Sequence, residues 1–273
     1  MRHQTVALIA LALVSGCSQP PTAAVPVPPV VTTSGSPVAG PQMLLTAPSP
    51  LPTPTPTPTP LRLRLGFEDT PTGSVPADFV DVATEVAAPP GWVYQGNWKV
   101  APDEKGNAVF LHDDVREQPA VSFMRYRGTA LGKPNGELPA TYYAEVAMRP
   151  IRSPINYPPT GDQGVQFYFL KYNQYLEVVV KPDVLEIWEC NGGEPKTAKG
   201  WKKLWGEALA TKAGDVRRIG ALVDTKAGNF TAYLDGKPRG AVQSTLLGSQ
   251  PAWLTLRGIG NVVSFDDLVV EPR

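Results

Sequence analysis

Two adjacent carboxylates, Asp266 and Asp267, interrupt an apolar run near the C-terminus, in the segment "NVVSFDDLVVEPR". The run from Val262 to Val270 is rich in β-branched residues, which is typical of a strand. Successive side chains of a strand point to opposite faces, so we expect at most one of these aspartates to face a core. A buried carboxylate needs a cation or several hydrogen-bond donors, so the pair must have a partner elsewhere in the chain.

A second group of titratable residues stands in "FLHDDVRE", where His112, Asp113 and Asp114 are consecutive. Such residues could do acid-base or metal chemistry, but consecutive residues of a strand or turn rarely converge, so we interpret them as a solvated turn. His112 is the only histidine beyond His3, which rules out a zinc site built from several histidines. The glycines of "NGGEPKTAKG" do not have the spacing of a phosphate-binding loop.

Aromatic residues are the third candidate group, because a sugar ring stacks its apolar C–H side on an aromatic face. We interpret Trp98 and Trp253 as core residues, since both stand in apolar alternation. The predicted ligand-binding residues are Trp188, Trp201, Trp205 and Tyr172. This interpretation favours a carbohydrate as the ligand.

Short strands must position all of these residues, since no long stretch keeps a helical period. Apolar or alternating runs such as "AVSFMRY", "ATYYAEVAM", "GVQFYFL" and "NFTAYLD" recur, with Gly, Pro, Asn or Asp between many of them. In "ALVDTKAGNFTAYLDGKPRG" the turn residues predict two successive hairpins, the second opening at Asp235 and Gly236. The pattern predicts an all-β fold, a sandwich or jelly roll of two antiparallel sheets.

The order of several segments resembles the concanavalin A-like lectin/glucanase superfamily. The segments are "GVQFYFLKYNQYLEVVV", "VLEIWECNGGEPKTAKGWKKLW", "FTAYLDGKPRGAV" and "VSFDDLVV", and the N-terminal "GFEDTPTGSVPADF" and "GNWKV" extend the match. Within that superfamily the chain looks like the laminin-G-like and keto-disaccharide-hydrolase-like domains of exported bacterial proteins. The resemblance implies a concanavalin A-like jelly-roll sandwich.

The resemblance also implies a structural calcium ion, because many related sandwiches hold one where the first and last strands meet. That arrangement would bring Glu68 and Asp69 of "GFED" close to Asp266 and Asp267. We expect Ca2+ to be bound by Glu68 and Asp266, with Asp69 and Asp267 as further participants. The alternative is that the inward aspartate accepts backbone N–H bonds or pairs with an arginine, such as Arg62 or Arg64.

Glucanases of this superfamily place their carboxylates on one strand face as Glu-x-Asp-x-Glu, and this chain departs from that pattern. In "LEIWEC" the residues that share a face with Glu186 are Trp188 and Cys190, while Glu189 points the other way. Glu177 in "YLEVVV" is likewise alone. We therefore expect no glucanase chemistry and assign no catalytic residue.

The N-terminal segment "MRHQTVALIALALVSGC" resembles a bacterial lipoprotein signal, with Val14, Ser15, Gly16 and Cys17 as the lipobox. The resemblance implies cleavage before Cys17, lipidation of its sulfur and a membrane anchor. Ser18 favours the outer membrane or the cell surface. An ordinary secretory signal with an incidental cysteine is the alternative, and either predicts export to the cell envelope.

Residues 19 to 60 contain no Lys, Arg, Asp or Glu and run into "PSPLPTPTPTPTP". Such a segment cannot bury a core, so we predict a disordered proline-rich linker that spans on the order of 100 Å if extended as polyproline II. The predicted units are therefore residues 1–16 as signal peptide, 17–60 as lipidated cysteine and tether, and 61–273 as the sandwich. With Cys17 lipidated, Cys190 has no partner for a disulfide and is interpreted as a small buried hydrophobe.

The formal net charge at pH 7 is zero, which argues against nucleic acid as a partner. We expect an envelope-anchored lipoprotein whose lectin-like sandwich binds glycan or cell-wall polysaccharide without catalysis. One alternative is a sugar-acting hydrolase of the keto-disaccharide-hydrolase-like type. Its acids would be among Asp113, Asp114, Glu145 and Asp162. Another is a structural lipoprotein that recognises a protein.

Overall fold

The computed structural model of the chain describes residues 62–85, 93–113, 121–152, 163–194, 198–248 and 251–273. The predicted lipidation site Cys17, the proline-rich linker, Asp114 and Asp162 lie outside these residues. No helix of the described ranges is both long and apolar enough to cross a membrane.

The short alternating runs of the sequence form strands, which we number in chain order. They are β1 Leu63–Leu65, β2 Phe79–Asp81, β3 Trp98–Pro102, β4 Ala108–Asp113, β5 Ser122–Tyr126, β6 Thr141–Arg152, β7 Gln163–Lys171, β8 Gln174–Val180, β9 Val184–Asn191, β10 Trp201–Ala208, β11 Arg217–Asp224, β12 Asn229–Leu234, β13 Lys237–Gln243, β14 Trp253–Gly258 and β15 Val262–Pro272. The helical elements among the described residues are one short α-helix, α1 Val82–Glu85, and one 3₁₀ turn, Pro134–Gly136. The predicted all-β class is confirmed.

The strands form two antiparallel sheets that pack face to face. Sheet I has the order β13-β12-β11-β6-β15-β4-β3, with β1 added beside β15, and sheet II has the order β10-β9-β8-β7-β14-β5-β2. Neighbours in each sheet are often distant in sequence, as in β6 beside β15 and β7 beside β14. The crossing connections and the two stacked sheets define a jelly-roll sandwich.

The core lies between the sheets, and the alternation of buried and outward-facing residues that builds it is clear along β6. On β6, Tyr142, Ala144, Val146 and Met148 are fully buried, while the residues between them face away from the core. The hydroxyl of Tyr142 donates to the backbone oxygen of Phe167 on sheet II, so a polar bond joins the two sheets inside the core. Core and sheet pairing together fix which residues of each strand reach the outer faces.

The first and last strands pair as the resemblance implies, with Leu63 opposite Val270 and Leu65 opposite Leu268. The expectation that Asp266 and Asp267 point to opposite faces is wrong, because a β-bulge separates them. The four residues of β15 from Asp266 to Val269 stand opposite three residues of β6, from Ala147 to Glu145, and Asp267 takes a left-handed conformation with φ of 49°. The extra residue lets Phe265 and Leu268 both face the core, while neither aspartate does.

The predicted second hairpin is confirmed. Asp235 and Gly236 join β12 to β13 and have φ values of 51° and 73°. A two-residue turn with positive φ at both positions matches the twist of the flanking strands, and glycine adopts such a conformation without steric cost. This turn sets the register of the outer strands of sheet I.

Two sequence-based interpretations need correction. His112 is not in a solvated turn but in β4, where it is completely buried against the ring of Trp98, with Nδ1 2.8 Å from the backbone oxygen of Asn261. Trp98 is buried as predicted, but Trp253 is only half-buried and carries the guanidinium of Arg125 4.8 Å from its ring centroid. The first error concerns the end of a strand, since β4 continues through His112 to Asp113, and the second concerns the face, since alternation alone does not say which of two faces becomes the core.

Candidate ligand-binding pocket

A pocket of about 510 Å3 opens on the outer face of sheet II. Its lining side chains come from β8, β9, β10 and β14 and from the loop before β10. Alternate residues of these strands point away from the core. The lining residues are Glu177, Val179, Trp188, Ala198, Trp201, Lys203 and Arg257. Aromatic, apolar and charged side chains therefore meet in one concavity.

The floor of the pocket is a buried ion pair between β14 and β8. Arg257 Nη1 lies 3.2 Å from Oε1 and 3.1 Å from Oε2 of Glu177. Only 7% of the Arg257 side chain and 2% of the Glu177 side chain are exposed. Taking both charges out of water costs about as much as their attraction returns, so such a pair adds little to folding stability. The position of the pair under an open pocket suits recognition of a polar ligand better than it suits stabilisation of the fold.

Two further polar side chains lie beside this ion pair, on β7 and β14, without lining the pocket. Gln166 Nε2 donates to Glu177 Oε2 over 2.6 Å, and Thr255 stands beside Gln166 in the register of β14 and β7. Both residues are completely buried. Within the described ranges, Gln166 Oε1 and Thr255 Oγ1 have no hydrogen-bond partner. Buried polar atoms are nearly always bonded in folded proteins, so an ordered water is expected at these two atoms.

Trp188 forms one aromatic wall, and its position is fixed by polar contacts. Its indole N–H donates to Glu186 Oε2 over 2.8 Å, and the ammonium of Lys181 lies 5.4 Å from the ring centroid. Glu186 also bonds to Lys181 at 2.8 Å and to Lys203 at 3.2 Å. Burial alone would raise the pKa of Glu186, but the bonds from Lys181, Trp188 and Lys203 lower it below its ordinary value. Glu186 is therefore ionised at neutral pH.

Trp201 forms the second aromatic wall and rests on a small apolar cluster outside the main core. Its ring meets that of Tyr175 edge-on at 5.9 Å, and its indole N–H donates to the backbone oxygen of Glu194 at 3.2 Å. Cys190 is buried directly beneath it, as expected for a small hydrophobe, and burial raises the pKa of its thiol to about 12. The thiol is consequently unreactive at neutral pH.

Of the predicted ligand-binding residues, the structure brings Trp188 and Trp201 together in this pocket. Tyr172 lies in the turn between β7 and β8 and packs on the same apolar cluster as Trp201. Trp205 lies on the opposite face of β10, because a register shift follows Lys203, and it packs over Gly240 against the core. Trp201 stands opposite Cys190 and Trp188 opposite Lys203, so the two pocket tryptophans are two residues of register apart on adjacent strands.

No role for Glu177, Gln166 or Arg257 followed from the sequence alone. A signal did exist, since Glu177 interrupts the apolar run "YLEVVV" just as the aspartates interrupt their strand. Arg257 stands 80 residues further along the chain, so no local pattern could join the two.

The four predicted calcium ligands lie around the bulge of β15, on the outer face of sheet I. Glu68 and Asp69 are exposed, and Asp267 Oδ2 bonds to Arg218 at 3.1 Å. Asp266 Oδ1 accepts the N–H of Asp267 at 2.7 Å. Burial raises the pKa of Asp266, and the charges of Asp267 and Glu68 raise it further. Among the described residues, no three Asp, Glu, His or Cys side chains are placed to hold a metal ion. The calcium site stays a prediction.

The arginines that were the alternative partners of these acids lie elsewhere. Arg62 pairs with Glu271 at 2.7 Å, and Arg64 stands opposite Val269 on β1. The cation at the bulge is Arg218, from β11. It reaches Asp267 across β6, which separates β11 from β15 in the sheet order.

Two of the candidate acids for a hydrolase, Asp113 and Glu145, lie within the described residues, and they do not share a site. Asp113 is paired with Lys99 at 3.3 Å at the end of β4. Glu145 accepts bonds from Arg218 at 2.6 Å and from Tyr143 at 2.8 Å on the outer face of sheet I. Neither lines the pocket of sheet II.

No protein-family model matches the sequence, and no curated protein matches it. Solved structures with a similar fold include the carbohydrate-binding module CBM66 from Bacillus subtilis. It is 12% identical, and the match covers 71% of this chain and 95% of that one with a TM-score of 0.47. The carbohydrate recognition domain of Emp47p is 8% identical over 78% of this chain and 95% of its own, with a TM-score of 0.49. Alginate lyase A1-II′, of polysaccharide lyase family 7, is 12% identical over 64% and 83% of the two chains, with a TM-score of 0.43.

Proposed function

We propose that the sandwich binds carbohydrate in the pocket on the outer face of sheet II. The observation that carries this proposal is the placement of Trp188 and Trp201 above the buried Arg257–Glu177 pair. A sugar ring has apolar C–H faces and hydroxyl edges, so it needs aromatic surface and hydrogen-bonding groups in the same concavity. The indole N–H groups are bonded to protein, which fixes the orientation of both rings at the pocket.

The proposed function is binding rather than hydrolysis. Hydrolysis of a glycosidic bond by paired carboxylates requires one of them to keep its proton near neutral pH, through a raised pKa. Among the described residues, the carboxylates beside the pocket walls and floor are Glu177, bonded to Arg257 and Gln166, and Glu186, whose pKa is lowered. Both are therefore suited to accept hydrogen bonds and hold the walls of the pocket, not to donate a proton.

The proposal extends to the place where binding occurs. The lipobox at Cys17 and the uncharged Pro/Thr-rich segment that follows support display of the sandwich from a lipid anchor in the bacterial envelope. Incorporation of labelled palmitate into the wild-type protein, and its loss in a Cys17→Ser variant, tests this anchoring. Equal labelling of the two proteins would contradict it.

Glycan-array binding of the purified protein, followed by titration calorimetry on the best ligand, tests the binding proposal. Replacing Trp188 by Ala removes one stacking surface and is expected to weaken binding roughly tenfold or more. Tyr233→Ala on the outer face of sheet I is the matched control, since Tyr233 is also a half-buried outward-facing aromatic. Loss of binding in the Tyr233 variant alone would show that the binding site lies on sheet I. Absence of any bound glycan would refute the proposal.

A further inference from the structure

The cations and anions around Trp188 are unequal in number and in exposure. Lys181 and Lys203 both pair with a single carboxylate, that of Glu186. The side chain of Glu186 is only 5% exposed, whereas that of Lys203 is 53% exposed and lines the pocket. The negative charge is thus buried under the wall, and a positive charge is presented to whatever enters.

Other carboxylates do not balance this excess. Within the described part of the chain, neither Lys181 nor Lys203 pairs with any carboxylate except Glu186. Asp183 is near in sequence but is exposed in the turn between β8 and β9 and makes no ion pair with either lysine in those ranges. The Arg257–Glu177 pair on the floor is neutral as a unit. The described groups of this face therefore leave one positive charge beside the Trp188 wall.

We propose that the pocket selects anionic sugars, with the ring stacked on the tryptophan wall and the acidic substituent at the ammonium of Lys203. The proposal rests on the carbohydrate-binding function and names the substrate class of the same site. A carboxylate of a uronic acid and a sulfate ester offer the same chemistry, an anionic group with oxygens that accept charge-assisted hydrogen bonds. A neutral sugar would stack on the same wall but leave the excess charge without a partner.

Lys202 provides a matched control for Lys203. It is the adjacent residue of β10, it is exposed, and it stands opposite Glu189, so its side chain points to the other face of the strand. Lys202→Gln and Lys203→Gln change the net charge of the protein equally. Only the second removes a charge from the pocket. Lys203→Arg keeps the charge and tests whether charge alone suffices.

The experiment is calorimetric titration of the full-length protein with three probes. These are oligogalacturonate, the same oligomer with its carboxyl groups reduced, and a sulfated galactan oligomer of similar length. We expect the acidic oligomers to bind more tightly than the reduced one. Lys203→Gln should weaken acidic binding roughly fivefold and leave the reduced oligomer unchanged, while Lys202→Gln and Lys203→Arg should behave as wild type. The preference should shrink with added salt.

The outcomes separate the two proposals. Equal affinity for acidic and reduced oligomers, or an equal loss in Lys202→Gln and Lys203→Gln, would overturn the selection of anionic sugars. Binding of the reduced oligomer that depends on Trp188 would still uphold the carbohydrate-binding function. A preference for the uronate over the sulfate, or the reverse, identifies which anionic group the pocket accepts. Binding of none of the three, and of no other glycan, would remove both proposals.

Discussion

Both sheets carry arginines paired with carboxylates on their outer faces, but the two sets of ions are in different surroundings. On sheet II, Arg257 and Glu177 have 7% and 2% of their side chains exposed. On sheet I, Arg218 is 35% exposed, and its partners Glu145 and Asp267 are 12% and 53% exposed. The attraction between charges is strong where water is excluded and weak where water screens it.

This difference sets the face proposed to bind carbohydrate apart from the outer face of sheet I. The ions of sheet I are more exposed than those of sheet II, Asp267 most of all, so water screens part of their attraction and the network contributes little free energy. The ions of sheet II have lost their hydration, and they lie under aromatic walls in a pocket. A buried pair that contributes little net stability is best explained by the ligand that it would contact.

The largest expected effect on the free energy of unfolding comes from replacing the arginine of the buried pair on sheet II, and the matched replacement on sheet I should have a small effect. Arg257→Met leaves Glu177 buried without its cation and is expected to lower the free energy of unfolding by about 3 to 5 kcal/mol. Arg218→Met should cost less than about 1 kcal/mol, because Asp267 is half exposed and Glu145 keeps its bond from the hydroxyl of Tyr143. Urea unfolding followed by tryptophan fluorescence measures both.

A double variant provides the control for the buried pair. Arg257→Met combined with Glu177→Leu removes both charges and should restore most of the lost stability, although Gln166 then loses its acceptor. If the single Arg257 and Arg218 variants lose the same free energy, the buried and exposed networks are equivalent and the comparison of the two faces fails.

Much of the fold could be predicted from local patterns. The alternation within each strand, the Asp235-Gly236 turn and the pairing of the first strand with the last all appear in the structure as expected. These features depend on a few consecutive residues or on a resemblance that includes the order of the strands. The choice of inner and outer face was less predictable, as buried His112 and half-buried Trp253 show.

The candidate site was only partly predictable, for a physical reason. Trp188 and Trp201 were recognised because an aromatic residue in a polar strand is visible by itself. The pairing of Arg257 with Glu177 joins residues 80 positions apart, and the bulge at Asp267 depends on the register between β15 and β6. Both are properties of strand pairing, which no short stretch of sequence contains.

The second largest expected effect on stability comes from substitutions at Asp267 in the bulge, where backbone conformation rather than charge determines the outcome. Asp267 has a φ of 49°, which a β-branched residue tolerates poorly. Asp267→Val should lower the stability by about 1 to 2 kcal/mol. Asp267→Gly, which loses the same contact with Arg218, should stay within about 0.5 kcal/mol of wild type. Equal losses in both variants would mean that the ion pair, not the left-handed backbone, determines the effect.

The smallest expected effect concerns Asp266, next to the same bulge. Its pKa in the folded state is raised by burial and by neighbouring carboxylates, so the unfolded chain gives up this proton more readily than the folded one. The contribution of Asp266 to stability therefore falls as the pH rises through its ordinary pKa toward the raised value. Asp266→Asn should raise the melting temperature at pH 7 in EDTA, and the gain should vanish in acid, where the wild-type carboxyl is protonated.

Calcium turns this small effect into a test of the predicted metal site. A Ca2+ ion held by Glu68 and Asp266 would offset the repulsion among the carboxylates and raise the melting temperature of the wild type. The Asp266→Asn variant would not respond, and Asp69→Asn would respond less than wild type if Asp69 also binds. A wild-type melt that is the same in Ca2+ and in EDTA would refute the calcium prediction. The gain of Asp266→Asn in EDTA would remain, because it comes from the protein's own charges.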